Sequence, residues 1–148
     1  FHPNVAVSQS NLANVYSDLG EDERARDLLE KALASDLNNF GENHPTVAVH
    51  QSNLGWVYKE LGEYERARDL LEKALASDLN NFGEFHPSVA VRQSNLANVY
   101  SDLGEYERAR DLLEKALASD LKNFGEFHPT VATRYNNLID IYAHFKEW

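Results

Sequence analysis

Residues 43–84 read NHPTVAVHQSNLGWVYKELGEYERARDLLEKALASDLNNFGE, and nearly the same stretch recurs on either side. His2-Pro3, His44-Pro45, His86-Pro87 and His128-Pro129 stand 42 residues apart, and Gly20, Gly62 and Gly104 keep the same step. Gly41, Gly83 and Gly125 do so as well. Residues 1–42, 43–84 and 85–126 align without a gap: the first and third agree at 38 of 42 positions, and the second agrees with either at 34. Residues 127–148 form a half repeat, identical to the third at 10 of 22 positions. A fixed period of this length marks an array of stacked supersecondary units. The whole chain, 1–148, therefore reads as one repeat array.

Inside one unit the apolar spacing is helical twice over. Val5, Leu12, Val15, Tyr16 and Leu19 share one stripe, which predicts a helix A from about Pro3 to Leu19. Pro3 suits a first helical position, and Gly20 suits the left-handed residue that ends a helix. Ala25, Leu28, Leu29, Ala32, Leu33 and Leu37 form a second stripe, predicting helix B from about Glu21 to Asn39, with Gly41 ending it. Small residues at Ala13, Gly55 and Ala97, and at Ala25 and Ala32, let neighbouring helices approach closely. The opposite face of helix B (Glu23, Arg26, Asp27, Glu30, Lys31) reads as solvated surface, with Asp27 and Lys31 in favourable i,i+4 spacing. The fold class is all-α, built of antiparallel helix hairpins in three full repeats and a half.

Composition narrows the function classes. Fourteen basic residues against 24 acidic ones leave a net charge of -10, which repels phosphate backbones and anionic lipid. Nucleic acid and membrane are thus not expected partners, and no apolar run reaches the roughly 20 residues of a spanning helix. The chain has no cysteine, which removes disulfides, thiolate metal sites and thiol nucleophiles and fits a cytoplasmic setting. It also has no methionine, as expected of a piece of a longer or processed protein. Four of the six histidines are the His-Pro histidines, one per connector, where helix entry is their expected role. With neither a His-x-x-x-His pair nor a Gly-rich phosphate loop, no catalytic residue, metal site or cofactor is expected, and the chain does not read as an enzyme.

The residues also resemble a known family. Leu12, Ala13 and Tyr16, followed by Gly20, Ala25, Leu29 and Ala32, resemble the tetratricopeptide pattern L-(G/A)-x-x-Y, then G, A, F/L and A. The longer helix B, the connector N-F-G-E-F-H-P and the motifs N-L-A-x-V-Y and H-P-x-V-A are similar to the long repeats of kinesin light chains and bacterial signalling proteins. Departures are Gln9, Gln51 and Gln93 where the family carries an aromatic (Tyr135 only in the last unit), and Leu37, Leu79 and Leu121 in place of a proline. The resemblance implies a right-handed superhelical solenoid whose A helices line the concave side and hold partner proteins.

On that side the A helices present one face after their packing stripe is set aside. It carries Val7, Asn11, Asn14 and Asp18, then Val49, Asn53, Trp56 and Glu60, then Val91, Asn95, Asn98 and Asp102, then Thr133, Asn137, Asp140 and His144. Asn11, Asn53, Asn95 and Asn137 recur once per repeat, and an amide offers both a donor and an acceptor to an extended peptide backbone. Related proteins use asparagines at this position in that way; bracing of neighbouring A helices is the alternative. Positions 8, 13, 14, 17 and 18, which differ between units, lie on helix A, and the sharpest difference is Trp56 against Asn14 and Asn98. Trp56 is a candidate anchor for an apolar side chain. Family members that clamp a C-terminal carboxylate carry Lys or Arg where this chain has Ser10, Ser52 and Ser94, so the expected partner is a neutral or basic peptide.

The last unit supports a second reading. Ile139, Ile141, Phe145 and Trp148 are apolar, Lys146 replaces the turn glycine, and the unit stops just into helix B. These four residues are candidates for self-association, through end-to-end or domain-swapped assembly of a structural or idealised repeat protein.

Overall fold

The computed structural model describes residues 3–145, with side chains from Gln9 onward. Seven helices account for the described elements: α1 (Pro3–Asp18), α2 (Asp22–Phe40), α3 (Pro45–Glu60), α4 (Tyr64–Phe82), α5 (Pro87–Asp102), α6 (Tyr106–Phe124) and α7 (Pro129–Phe145). Their limits fall within a residue or two of the expected helices A and B. Among the described residues there is no strand. The chain forms two compact units, residues 1–77 and 78–148, each of which repeats the same hairpin packing.

Each hairpin turn is set by its glycine. Gly20, at φ 78°, lets Glu21 N–H reach back to Tyr16 O at 2.7 Å while Gly20 N–H bonds Ser17 O, so the last carbonyls of α1 are satisfied. Gly62 and Gly104 repeat this turn at φ 80° and 78°. At the connectors the His-Pro histidine caps the helix that follows. His44 Nδ1 accepts Thr46 N–H at 3.1 Å, His86 accepts Ser88 N–H at 3.1 Å, and His128 accepts Thr130 N–H at 3.2 Å. Each ring also stacks on the last Phe of the preceding helix, with Phe40–His44 centroids 4.4 Å apart. The expected helix-entry role is therefore seen at all three; His2 lies outside the described residues.

In the first unit α1 packs on α2 and α2 on α3; in the second, α5 packs on α6 and α6 on α7. The first core is made of Ala13, Ala25, Leu29 and Ala32, then Val47, Leu54 and Val57, then Ala67, Leu71 and Ala74. Its counterpart contains Val89, Leu96, Val99, Ala109, Leu113, Ala116, Val131 and Leu138. Serines tie each hairpin to its own connector: Ser77 Oγ donates to Asn43 O at 3.4 Å and Ser119 Oγ to Phe85 O at 3.2 Å.

Three expectations need correction. Leu12 and Val15 are 45% and 52% exposed, and Leu19 is exposed too, whereas their counterparts Leu54, Val57, Leu96 and Val99 are buried. A helix A hides this stripe against the helix B before it, and no described helix precedes α1. Leu37 and Leu79 are likewise more than a third exposed, at the open end of helix B. Finally, Asp27 is met by Arg26, at 3.3 Å, with Glu30 as that arginine's second partner.

Candidate functional site

Two surfaces of helix A emerge, one sealed and one open. The sealed one was hidden in the repeat as the tripeptide Ala-Ser-Asp near the end of helix B. Asp36, Asp78 and Asp120 are 1%, 2% and 1% exposed, and each meets the residue 14 positions on, in the next helix A. Arg92 Nε lies 3.0 Å from Asp78 Oδ2, Arg134 Nε lies 2.9 Å from Asp120 Oδ2, and His50 Nδ1 contacts Asp36 Oδ2. Burial pushes the Asp78 and Asp120 carboxyls up, against the opposing pull of Arg92 and Arg134. Arg134 also donates from Nη1 to Ser94 Oγ at 3.3 Å. A second tie joins the same elements, Tyr58 OH to Glu30 at 2.8 Å and Tyr142 OH to Glu114 at 2.8 Å. Glu30 therefore has a structural role as well as a solvated one.

These contacts redraw the variable positions of helix A. Position 8 (His50, Arg92, Arg134) belongs to the buried pairs, and position 13 is a packing site. A Cβ placed on Gly55 would stand 2.9 Å from Leu71 Cγ and 3.4 Å from Ala67 O. Only positions 14, 17 and 18 remain for a ligand. The serines Ser10, Ser52 and Ser94, at the clamp positions of other family members, are buried.

The open face is polar with an aromatic on it. On α3 it presents Val49, Asn53, Trp56 and Glu60, with Asn53 half-buried and Trp56 39% exposed. Lys59 Nζ sits 4.8 Å over the Trp56 ring, a cation–π contact that holds the indole against its helix. On α1 the exposed residues are Asn11, Asn14 and Asp18. In the second unit α5 presents Val91, Asn95, Asn98 and Asp102, with both asparagines half-buried. On α7 Asn137 is half-buried beside exposed Thr133, Asp140 and His144, and the His144 ring stacks on Tyr106 at 4.0 Å. Carboxylates recur at the same end of the faces of α1, α3 and α5, as Asp18, Glu60 and Asp102, and on α7 Asp140 lies one turn earlier. Such a face can offer amide hydrogen bonds and one aromatic platform in an acidic field.

The residues assigned to self-association divide. Ile139 is half-exposed, and Ile141 is buried. Phe145 lies under the Arg110 guanidinium at 4.9 Å, and Trp148 lies outside the described residues. Among the described residues no three His, Asp or Glu side chains gather as metal ligands. No described helix is long and apolar enough to cross a membrane.

Known proteins agree with this geometry. A putative kinesin light chain from Podosopora anserina, with nearly identical TPR-like repeats, is 30% identical at a TM-score of 0.89, covering 95% of this chain and 67% of that one. BtubC (BKLC) from P. vanneervenii is 29% identical at 0.87, covering 96% of this chain and 57% of that one. The first TPR of Spaghetti (RPAP3), solved with the HSP90 peptide SRMEEVD bound, is 18% identical at 0.73, covers 99% of this chain and 97% of that one, and shares the fold. No curated relative matches. The tetratricopeptide repeat family model matches residues 4–80, 68–122 and 88–148, so the repeat, the glycine turns and the packing all carry one assignment. The chain belongs to the tetratricopeptide repeat family.

Proposed function

We propose that this chain is a cytoplasmic protein-interaction scaffold, without catalysis of its own, whose A-helix faces hold an extended, neutral or basic peptide segment. In the first unit Asn11, Asn14 and Asn53 supply amides to the peptide backbone and Trp56 anchors an apolar side chain. In the second, Asn95, Asn98 and Asn137 supply the amides. The observation that carries this reading is Trp56 itself, a large aromatic held half-exposed on a polar face with a cation stacked on it. An indole so placed has little conformational entropy left to lose and much apolar area to offer, which is the profile of a binding hot spot.

Charge selects the ligand. Asp18, Glu60, Asp102 and Asp140 all lie on this face, so an acidic peptide meets like charge. The fold itself tolerates acidic ligands, as the SRMEEVD complex of the RPAP3 domain illustrates. On this chain the A-helix faces carry carboxylates, and Ser10, Ser52 and Ser94 are buried.

A peptide array probed with the chain tests the reading. Neutral and basic extended peptides containing a large apolar residue should bind. Trp56→Asn, which restores the residue of the neighbouring units, should weaken them by about tenfold or more. Preference for acidic C-termini, retained in the variant carrying both Asn53→Ala and Asn95→Ala, overturns it.

A further inference from the structure

Trp56 does not stand alone on α3. Glu60 follows it by four residues on the same face, and Asn53 precedes it by three. Glu60 is exposed, and among the described residues it has no hydrogen-bond or ion-pair partner. Carboxylates of helix B are treated differently: Asp27 and Glu30 meet Arg26, and Asp69 and Glu72 meet Arg68. Asp18, at the same repeat position of α1 as Glu60, is also exposed and unpaired among the described residues. The cation beside Glu60 is Lys59, drawn over the indole with Nζ 4.8 Å from the ring centroid. Asp18 and Glu60 outnumber it, so the end of the face next to Trp56 is short of positive charge.

The helix itself fixes the spacing. Four residues at about 1.5 Å each put Glu60 about 6 Å along α3 from Trp56. In an extended peptide, residues two apart point the same way and stand about 6.6 Å from each other. Neighbouring residues point to opposite sides, and residues three apart are both opposed and about 10 Å distant. A peptide lying along α3 therefore reaches both side chains in one register. Asn53, about 4.5 Å from Trp56 in the other direction, is placed to bond the peptide backbone beside the anchor. All three side chains stand on one helix, so the match is independent of how neighbouring helices pack.

We propose that α3 takes a peptide whose lysine or arginine stands two residues from its large apolar residue, with the apolar side chain on Trp56 and the cation on Glu60. This inference rests on the peptide reading of the A-helix faces and specifies which basic segments they select. A basic residue elsewhere in the peptide gains only a diffuse acidic field, which salt screens over about 8–10 Å. A basic residue at the two-residue spacing gains a direct pair with a carboxylate that has no competing partner. An exposed pair of this kind improves affinity about threefold to fivefold. Arginine exceeds lysine, because its planar fork meets a carboxylate at two points.

Fluorescence anisotropy of labelled, end-blocked Gly/Ser peptides tests it. Each peptide holds one Phe and one Arg, with the Arg one, two or three residues from the Phe on either side. The better of the two peptides with the two-residue spacing should bind about threefold to fivefold more tightly than those with other spacings. That advantage should shrink at about 0.5 M NaCl. Glu60→Gln, which keeps the shape of the side chain and removes its charge, should bring all spacings to one affinity. Binding that Trp56→Asn weakens, with no preference among spacings, overturns the proposal and leaves the peptide reading standing. A preference for another spacing, or one that survives Glu60→Gln, overturns it as well. Peptides that fail to bind, or that bind Trp56→Asn as tightly as the wild type, overturn the peptide reading and this proposal with it.

Discussion

Arg92 Nε stands 3.0 Å from Asp78 Oδ2 between α4 and α5, and the carboxylate has almost no access to water. A charge in that position is costly to bury and costly to leave unpaired. Replacing Arg92 by Ala should therefore lower the unfolding free energy by about 3–5 kcal/mol in urea titration. Replacing the pair together, Asp78→Leu with Arg92→Met, should recover most of that loss, because an apolar pair removes the desolvation cost along with the attraction. A double variant no more stable than Arg92→Ala would show that the pair has little part in the loss.

Acidity should act on these carboxyls in the opposite sense to ordinary acid unfolding. Burial raises Asp78 and Asp120, so the folded chain holds their protons more tightly than the unfolded chain does. Their contribution is fully present below the unfolded value of about 3.9 and is lost as pH rises through the folded value. The stability of the wild type relative to the variant carrying Asp78→Asn and Asp120→Asn should thus grow as pH falls from about 6 to about 4. Chemical unfolding at several pH values measures the difference; a constant gap would show that the two carboxyls titrate alike in both states.

The connectors offer a cleaner local test. His86 Nδ1 accepts the Ser88 N–H at 3.1 Å, which requires an imidazole unprotonated at that nitrogen. His86→Ala should cost about 1 kcal/mol, and His86→Asn, which can cap in the same way, should cost much less. Thermal unfolding of the two variants separates capping from the stacking on Phe82, which both of them remove.

Helix limits were legible because Pro, Gly and the 3.6-residue stripe are local signals. The Gly20 turn and the Pro45 start depend on their own backbone and little else. Asp36 and His50 were not legible in the same way, since an aspartate in a helix is ordinarily a solvated residue and its partner lies 14 positions away in another hairpin. A signal was nevertheless present. His50, Arg92 and Arg134 each have an aspartate 14 residues before them, so a basic side chain at this position recurs with the anion it meets. Leu12 and Val15 show the converse limit, as periodicity marks a face without saying what covers it. Trp56 was legible as an outlier among asparagines, and its cation–π neighbour Lys59 varies with it, since units one and three have Ser17 and Ser101 there.

Gly55 and Ile139 occupy one repeat position under opposite constraints, and exchanging their side chains separates them. Gly55→Ala removes a helix-interior glycine, a gain of about 1 kcal/mol, and sets it against a Cβ only 2.9 Å from Leu71 Cγ. Ala13 and Ala97 are buried at the same position against equivalent leucines, so a shift of a few tenths of an ångström suffices, and the net change should lie within about 1 kcal/mol of zero. Gly55→Ile puts four carbons where Leu71 is fully buried and cannot move aside. It should cost about 3 kcal/mol or more, read as a lower urea midpoint. Ile139→Gly acts on an exposed face and changes only helix propensity and modest burial, about 1–2 kcal/mol. A Gly55→Ile chain as stable as the wild type would mean that α3 and α4 can part without loss.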